Sequence, residues 1–71
     1  MATIEIYDVC NDYSVEFNES RTFYNAPELL RYLKAKHGVV KTAPIVKNDH
    51  GRLNLYGWNK YDELIIQVYE R

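Results

Sequence analysis

The chain has 71 residues and a mass of 8.4 kDa, enough for one small domain over residues 1–71, since a globule of that mass buries only roughly 60% of the surface its unfolded chain exposes. A 46% hydrophobic share beside 27% charged residues excludes the disordered class, whose chains combine low hydrophobicity with high net charge. Nine Lys plus Arg against ten Asp plus Glu leave a formal charge of −1, which excludes global charge as a means of holding nucleic acid or an anionic membrane.

Thr3 to Val9 alternates so that Ile4 and Ile6 share one face and Glu5 and Tyr7 the other, the period of a half-buried strand. Asn11-Asp12 supplies turn chemistry, and Tyr13, Val15 and Phe17 then alternate with Ser14, Glu16 and Asn18, predicting a second strand that returns as a hairpin. Asn18-Glu19-Ser20 reads as a polar break. Arg21 to Tyr24 reads either as a short third strand or as the approach to a helix.

Asn25-Ala26-Pro27-Glu28 predicts a helix start: Asn25 caps, Pro27 loses nothing in a first turn where its N–H has no partner, and Glu28 stands three after the cap. Leu29, Leu30, Leu33 and His37 form the expected apolar stripe. Gly38 suits the left-handed residue that ends a helix over 26–37, with Val39 packing back across the stop. Ile45-Val46-Lys47 reads as a short strand, Asn48 to Gly51 as a turn, Arg52 to Trp58 as a strand, Asn59 to Asp62 as a turn, and Glu63 to Glu70 as the most strand-like segment of all.

The expectation is a two-layer α+β domain: a β-hairpin, one α-helix, then two or three antiparallel strands. Two arrangements fit. One is a β-grasp-like mixed sheet whose terminal strands pair in parallel under the helix; the other is a wholly antiparallel sheet in sequential order. The β-grasp resemblance is one of strand order alone and implies no activity.

If Ile4, Ile6, Val15, Phe17, Leu53, Leu55, Leu64, Ile66 and Val68 face the helix, then Glu5, Tyr7, Tyr56, Trp58, Ile65, Gln67 and Tyr69 face away. One helix leaves that side uncovered. Seven Tyr, two Phe and one Trp make 14% aromatic, and Tyr and Trp combine apolar area with a polar tip, the mixture found at interface cores and on base-stacking platforms. The residues assigned to this face include Glu5 and no Lys or Arg, whereas stacking on a nucleic acid needs cations for the phosphates. The reading is therefore a non-enzymatic module that binds a protein, another or itself as a two-fold homodimer, through Tyr7, Tyr56, Trp58, Ile65 and Tyr69 or through an edge strand. The alternative is a small single-stranded nucleic-acid binder using Arg31, Lys34, Lys36 and Lys41. Those cations, with His37, have a simpler role at the negative end of the helix dipole.

No cofactor, metal or small-molecule substrate is implied. Cys10 beside His37 or His50 invites a thiol–imidazole pair, but their spacing carries no such signature, and a lone Cys at a strand end is most simply a small hydrophobe. Asp49 and His50 read as turn residues, for two ligands hold a metal weakly. One Cys allows no internal disulfide, which points to a reducing compartment. With an N-terminus lacking a basic and apolar leader, and no run near the ~18 residues of a membrane span, the expected location is cytoplasmic. Chains of this size and charge without catalytic motifs include accessory and inhibitor proteins of phages and mobile elements, an expectation from size class only.

Overall fold

The structure, a computed structural model, describes residues 2–44 and 50–71. Five strands and one helix follow one another as β1 (Ala2–Val9), β2 (Val15–Phe23), α1 (Ala26–His37), β3 (Lys41–Pro44), β4 (Asn54–Trp58) and β5 (Leu64–Glu70). The strands form one sheet in the order β2-β1-β5-β4-β3, with every neighbouring pair antiparallel. The architecture is a two-layer α+β domain. The terminal strands β1 and β5 are neighbours, as in a β-grasp, but run antiparallel, so the parallel pairing is excluded; nor is the order strictly sequential, because β5 inserts next to β1 and leaves β2 and β3 at opposite edges. Four successive antiparallel pairings make β2 and β3 point the same way. A chain leaving one and entering the other needs a long crossover, and α1 supplies it.

The helix boundaries follow from its ends. Asn25 caps it by accepting a hydrogen bond from the Glu28 N–H at 2.9 Å, Pro27 sits in the first turn, and Gly38 ends it at φ 72°. The Val39 N–H then donates back to the Leu33 carbonyl at 3.2 Å, and the Val39 side chain joins the core. Successive helical residues differ by about 100°, so the stripe is Leu29, Tyr32 and Leu33; Leu30, expected on it, is 40% exposed.

The core is one cluster of Ile4, Ile6, Phe23, Leu29, Leu33, Val39, Leu55, Ile66 and Val68, with Ala2, Tyr32, Leu53 and Ile65 packed against it. Val39 and Ile66 close over Gly57 so tightly that a Cβ there would lie 2.8 Å from an Ile66 methyl and 2.9 Å from a Val39 methyl. Glycine at 57 is thus a packing requirement, one that strand alternation does not reveal.

The second strand corrects two expectations. Arg21–Phe23 is the continuation of β2, and Asn18-Glu19-Ser20 does not break it. Instead Ile6 pairs with Glu19 and Tyr7 with Phe17, leaving Asn18 as an extra residue. Such a bulge inverts the facing of everything beyond it. Val15 and Phe17, expected under the helix, therefore share the face of Tyr7 and are 43% and 57% exposed. A further irregularity in β4–β5 pairs Trp58 with Leu64, which draws Leu64 away from its expected place among the core residues. The strand expected at Ile45-Val46-Lys47 lies outside the described residues; β3 precedes it.

Candidate functional site

Directly paired residues of an antiparallel sheet stand on the same face, so the open face can be read rung by rung. One rung crosses all five strands: Phe17, Tyr7, Gln67, Tyr56 and Ala43. The next carries Ser20, Glu5, Tyr69 and Asn54. On the other side, Leu64, Trp58 and Lys41 form a third.

Aromatic contacts bind these rungs into a stripe. Tyr7 meets Phe17 edge-on at 5.5 Å on one flank and Tyr69 edge-on at 5.5 Å on the other, and Tyr56 meets Trp58 at 6.2 Å. Edge-to-face geometry is the arrangement ring quadrupoles favour. Tyr7, Tyr56, Trp58 and Tyr69 are each half-buried, because neighbours on the same face screen their rings while the outer surface stays bare. Burial, then the adjacent Glu5 carboxylate, raises the Tyr7 phenol above its ordinary pKa, so it stays protonated across the physiological range. Four of the five residues singled out from sequence thus lie on this stripe. Ile65, the fifth, is half-buried and packs against the core at the β4–β5 irregularity; Val15 and Phe17 join the face through the bulge.

The charge of the face also differs from expectation. Lys41 lies there, its Nζ 5.5 Å from the Trp58 ring centroid and 3.6 Å from Asp62 Oδ1. Arg71 approaches Glu5 at 3.8 Å. Each of these two cations is accompanied by a carboxylate, so the face is aromatic and close to neutral. The remaining candidates for phosphate binding, Arg31, Lys34 and Lys36, are exposed on the helix, in the layer on the opposite side from Lys41.

A second constellation escaped the sequence reading. On the covered face, beyond the bulge, Glu19 Oε2 accepts from the Tyr32 hydroxyl at 2.6 Å and lies 2.8 Å from His37 Nε2. Arg21 donates to the Tyr32 oxygen at 3.1 Å and stacks its guanidinium 4.6 Å from that ring. The Tyr32 hydrogen bond foremost, with His37 and Arg21 adding to it, holds the Glu19 carboxyl below the ordinary glutamate range against a partial burial penalty. The same bond pushes the Tyr32 phenol up. All four groups are engaged with one another, and what they accomplish is to tie the outer strand β2 to the helix. His37, which the sequence offers as a base for Cys10, is a partner of Glu19.

The turns joining β1 to β2 and β4 to β5 repeat one geometry. In the first, the Cys10 N–H donates to the Ser14 carbonyl at 2.8 Å and the Tyr13 N–H to the Cys10 carbonyl at 2.9 Å. In the second, the Asn59 N–H donates to Glu63 at 3.0 Å and the Asp62 N–H to Asn59 at 3.1 Å. Three-residue hairpin loops close with one left-handed residue, here Tyr13 at φ 66° and Asp62 at φ 62°. Side-chain acceptors brace both loops: Asp12 takes the Ser14 N–H and hydroxyl, which lowers its pKa, and Asn59 Oδ1 takes the N–H groups of Tyr61 and Glu63. Because β1 and β5 are antiparallel neighbours, the two turns sit side by side at one end of the sheet. Between them lies a recess lined by Cys10, Asn11, Tyr13, Trp58, Asp62, Glu63 and Leu64, joined to the aromatic stripe through Trp58.

Among the described residues, no three His, Cys, Asp or Glu side chains gather to hold a metal, and no helix is long and apolar enough to cross a membrane. No protein-family model matches the chain, and no curated protein or solved structure is significantly similar to it.

Proposed function

We propose that this chain is a non-enzymatic interaction module that docks a protein, either another chain or a second copy of itself, on the open aromatic face of its sheet. The observation that carries the reading is the rung from Phe17 through Tyr7 and Gln67 to Tyr56, with Tyr69 and Trp58 beside it. Contiguous aromatic surface with few unpaired charges is the composition of an interface core. The face is favoured over the β2 edge because the bulge at Asn18 interrupts the row of outward N–H and C=O groups that strand addition requires.

Binding of single-stranded nucleic acid is the second reading, and Lys41 against Trp58 favours it. Yet Lys41 and Arg71 already face carboxylates, and Arg31, Lys34 and Lys36 stand on the other layer, out of reach of a strand stacked on the stripe. A role as an accessory or inhibitor protein of the kind phages and mobile elements carry belongs to the same proposal, on size class alone.

Affinity capture from native lysate, with and without nuclease, separates the readings. A protein partner survives nuclease and moderate salt and is lost with Phe17→Ser and Tyr69→Ser, whereas a nucleic-acid partner disappears with nuclease and weakens steeply with salt. Sedimentation velocity over a range of concentrations reports the homodimer. Capture unaffected by Phe17→Ser and Tyr69→Ser, with a monomer at all concentrations, overturns the proposal.

A further inference from the structure

The two edges of the sheet are unlike. At one, β2 is interrupted by the Asn18 bulge and tied to the helix through Glu19. At the other, β3 pairs with β4 in unbroken register and with no other described strand, so its outer side presents the backbone N–H and C=O groups that a further strand needs. A groove runs along this edge, between β3 and the flank of α1, lined by Leu30, Lys34, Val39, Val40, Lys41 and Thr42. We propose that β3 accepts an extended, acid-bearing segment of a partner protein as a sixth strand, one apolar side chain entering the groove beside Leu30 and Val40 and a carboxylate reaching Lys34. This surface is separate from the aromatic face and does not depend on it.

Shape and charge select that occupant. Leu30 and Val40 are 40% and 57% exposed, aliphatic surface left bare on the groove, and Thr42, paired with Gly57, stands on their side of the sheet. A strand added to β3 sends every second side chain to that side, so the main chain supplies the pairing and the groove supplies the choice of side chain. Both charged residues of the lining are lysines. Lys41 is engaged with Asp62 and Trp58, whereas Lys34 makes no ion pair among the described residues. Arg31 lies about 100° round the helix from Leu30, outside the groove. A short edge strand with a Lys and a closing Pro, as β3 is, is guarded against pairing with its own copy: about a two-fold axis Lys34 and Lys41 would meet the same residues of the second chain. The same charges attract a carboxylate. No aromatic ring lines the groove, so an unpaired base has nothing there to stack on.

The probe is a fluorescent, capped nonapeptide with Val and Glu alternating on one face and Thr on the other. Its anisotropy, titrated with the full chain, should show saturable binding. Exchanging each Glu of the peptide for Gln, or Lys34→Gln in the chain, should weaken binding about threefold, the scale of an exposed charge contact, and the two changes together should weaken it no further than either alone. Leu30→Ser should weaken it comparably. N-methylation of every second peptide amide should abolish binding in one phase and leave it in the other, because only alternate amides of an added strand face β3. Phe17→Ser, on the open face, should bind the peptide as the wild type does even though partner capture is lost, so the two proposals fail separately. No saturable binding, loss in neither or in both methylation phases, unaltered affinity in Lys34→Gln or Leu30→Ser, or displacement by oligothymidylate at lower concentration than by unlabelled peptide overturns the inference.

Discussion

The two faces of the sheet are built from the same strands by the same alternation, yet they end in different states. Under the helix, Ile6, Leu33, Ile66 and Val68 are at most 1% exposed, aliphatic and interlocked. On the other side Tyr7, Tyr56, Trp58 and Tyr69 stop half-buried, touching edge to face across a surface that no described element covers. Aliphatic side chains gain only from removal of water, so they complete a core; Tyr and Trp gain from the same burial but keep a polar tip for water or a partner. The difference teaches that the covered face makes the fold and the open face has area in reserve.

Core truncation should break this comparison most severely. Leu33→Ala or Ile66→Ala is expected to cost ~2–5 kcal/mol, read from urea or thermal unfolding, and a domain this small has little more than that to lose. Equal losses from Phe17→Ser would erase the distinction between the faces.

Gly57→Ala comes next. The added methyl meets the β-branched side chains of Ile66 and Val39, and overpacking of a closed core costs about 1–3 kcal/mol. A variant as stable as the wild type would show that the covered face has slack.

The polar tie at the edge of the covered face is smaller and depends on pH. Glu19→Gln should cost about 1 kcal/mol at neutral pH, because the amide can keep a neutral hydrogen bond to Tyr32 and loses only the charge-assisted part of it. The folded pKa of Glu19 lies below its ordinary value of 4.5, so its stabilisation is complete above the ordinary range and is lost as pH falls through the depressed folded value. Wild type and Glu19→Gln should therefore converge in melting temperature on acidification below about pH 4; a gap that widens there would assign the tie to other groups.

The smallest effect sharpens the contrast from the other side. Phe17→Ser should cost no more than about 1 kcal/mol, the worth of its edge-to-face cross-strand contact with Tyr7, and still abolish partner capture.

How much of this was legible in the sequence depended on how local the information was. The helix over 26–37 was readable to the residue because Asn25, Pro27 and Gly38 act within a turn of themselves. The facing of β1, β4 and most of β5 followed from unbroken alternation. Val15 and Phe17 were misplaced because a bulge at Asn18 is decided by pairing with β1, not by the residues of β2 alone. Leu30 was grouped with Leu29 by composition, although adjacent helical positions diverge by about 100°. The Glu19, Tyr32 and His37 cluster joins residues 13 and 18 positions apart on different elements, and the antiparallel pairing of β1 with β5 joins the two ends of the chain. No local pattern encodes either. The stripe was found because its residue types are unusual for their period; Lys41 was grouped with the helix cations, and only its pairing with Trp58 puts it on the open face instead.

The most direct test of the open face as a protein-docking surface is photo-crosslinking in native, nuclease-treated lysate, with a benzophenone side chain placed at Phe17 or, for comparison, at Arg31 on the helix. The account predicts a discrete protein adduct, foreign or a second copy of this chain, from position 17 and none from position 31. No adduct at position 17, or the same adducts from both positions, would contradict it.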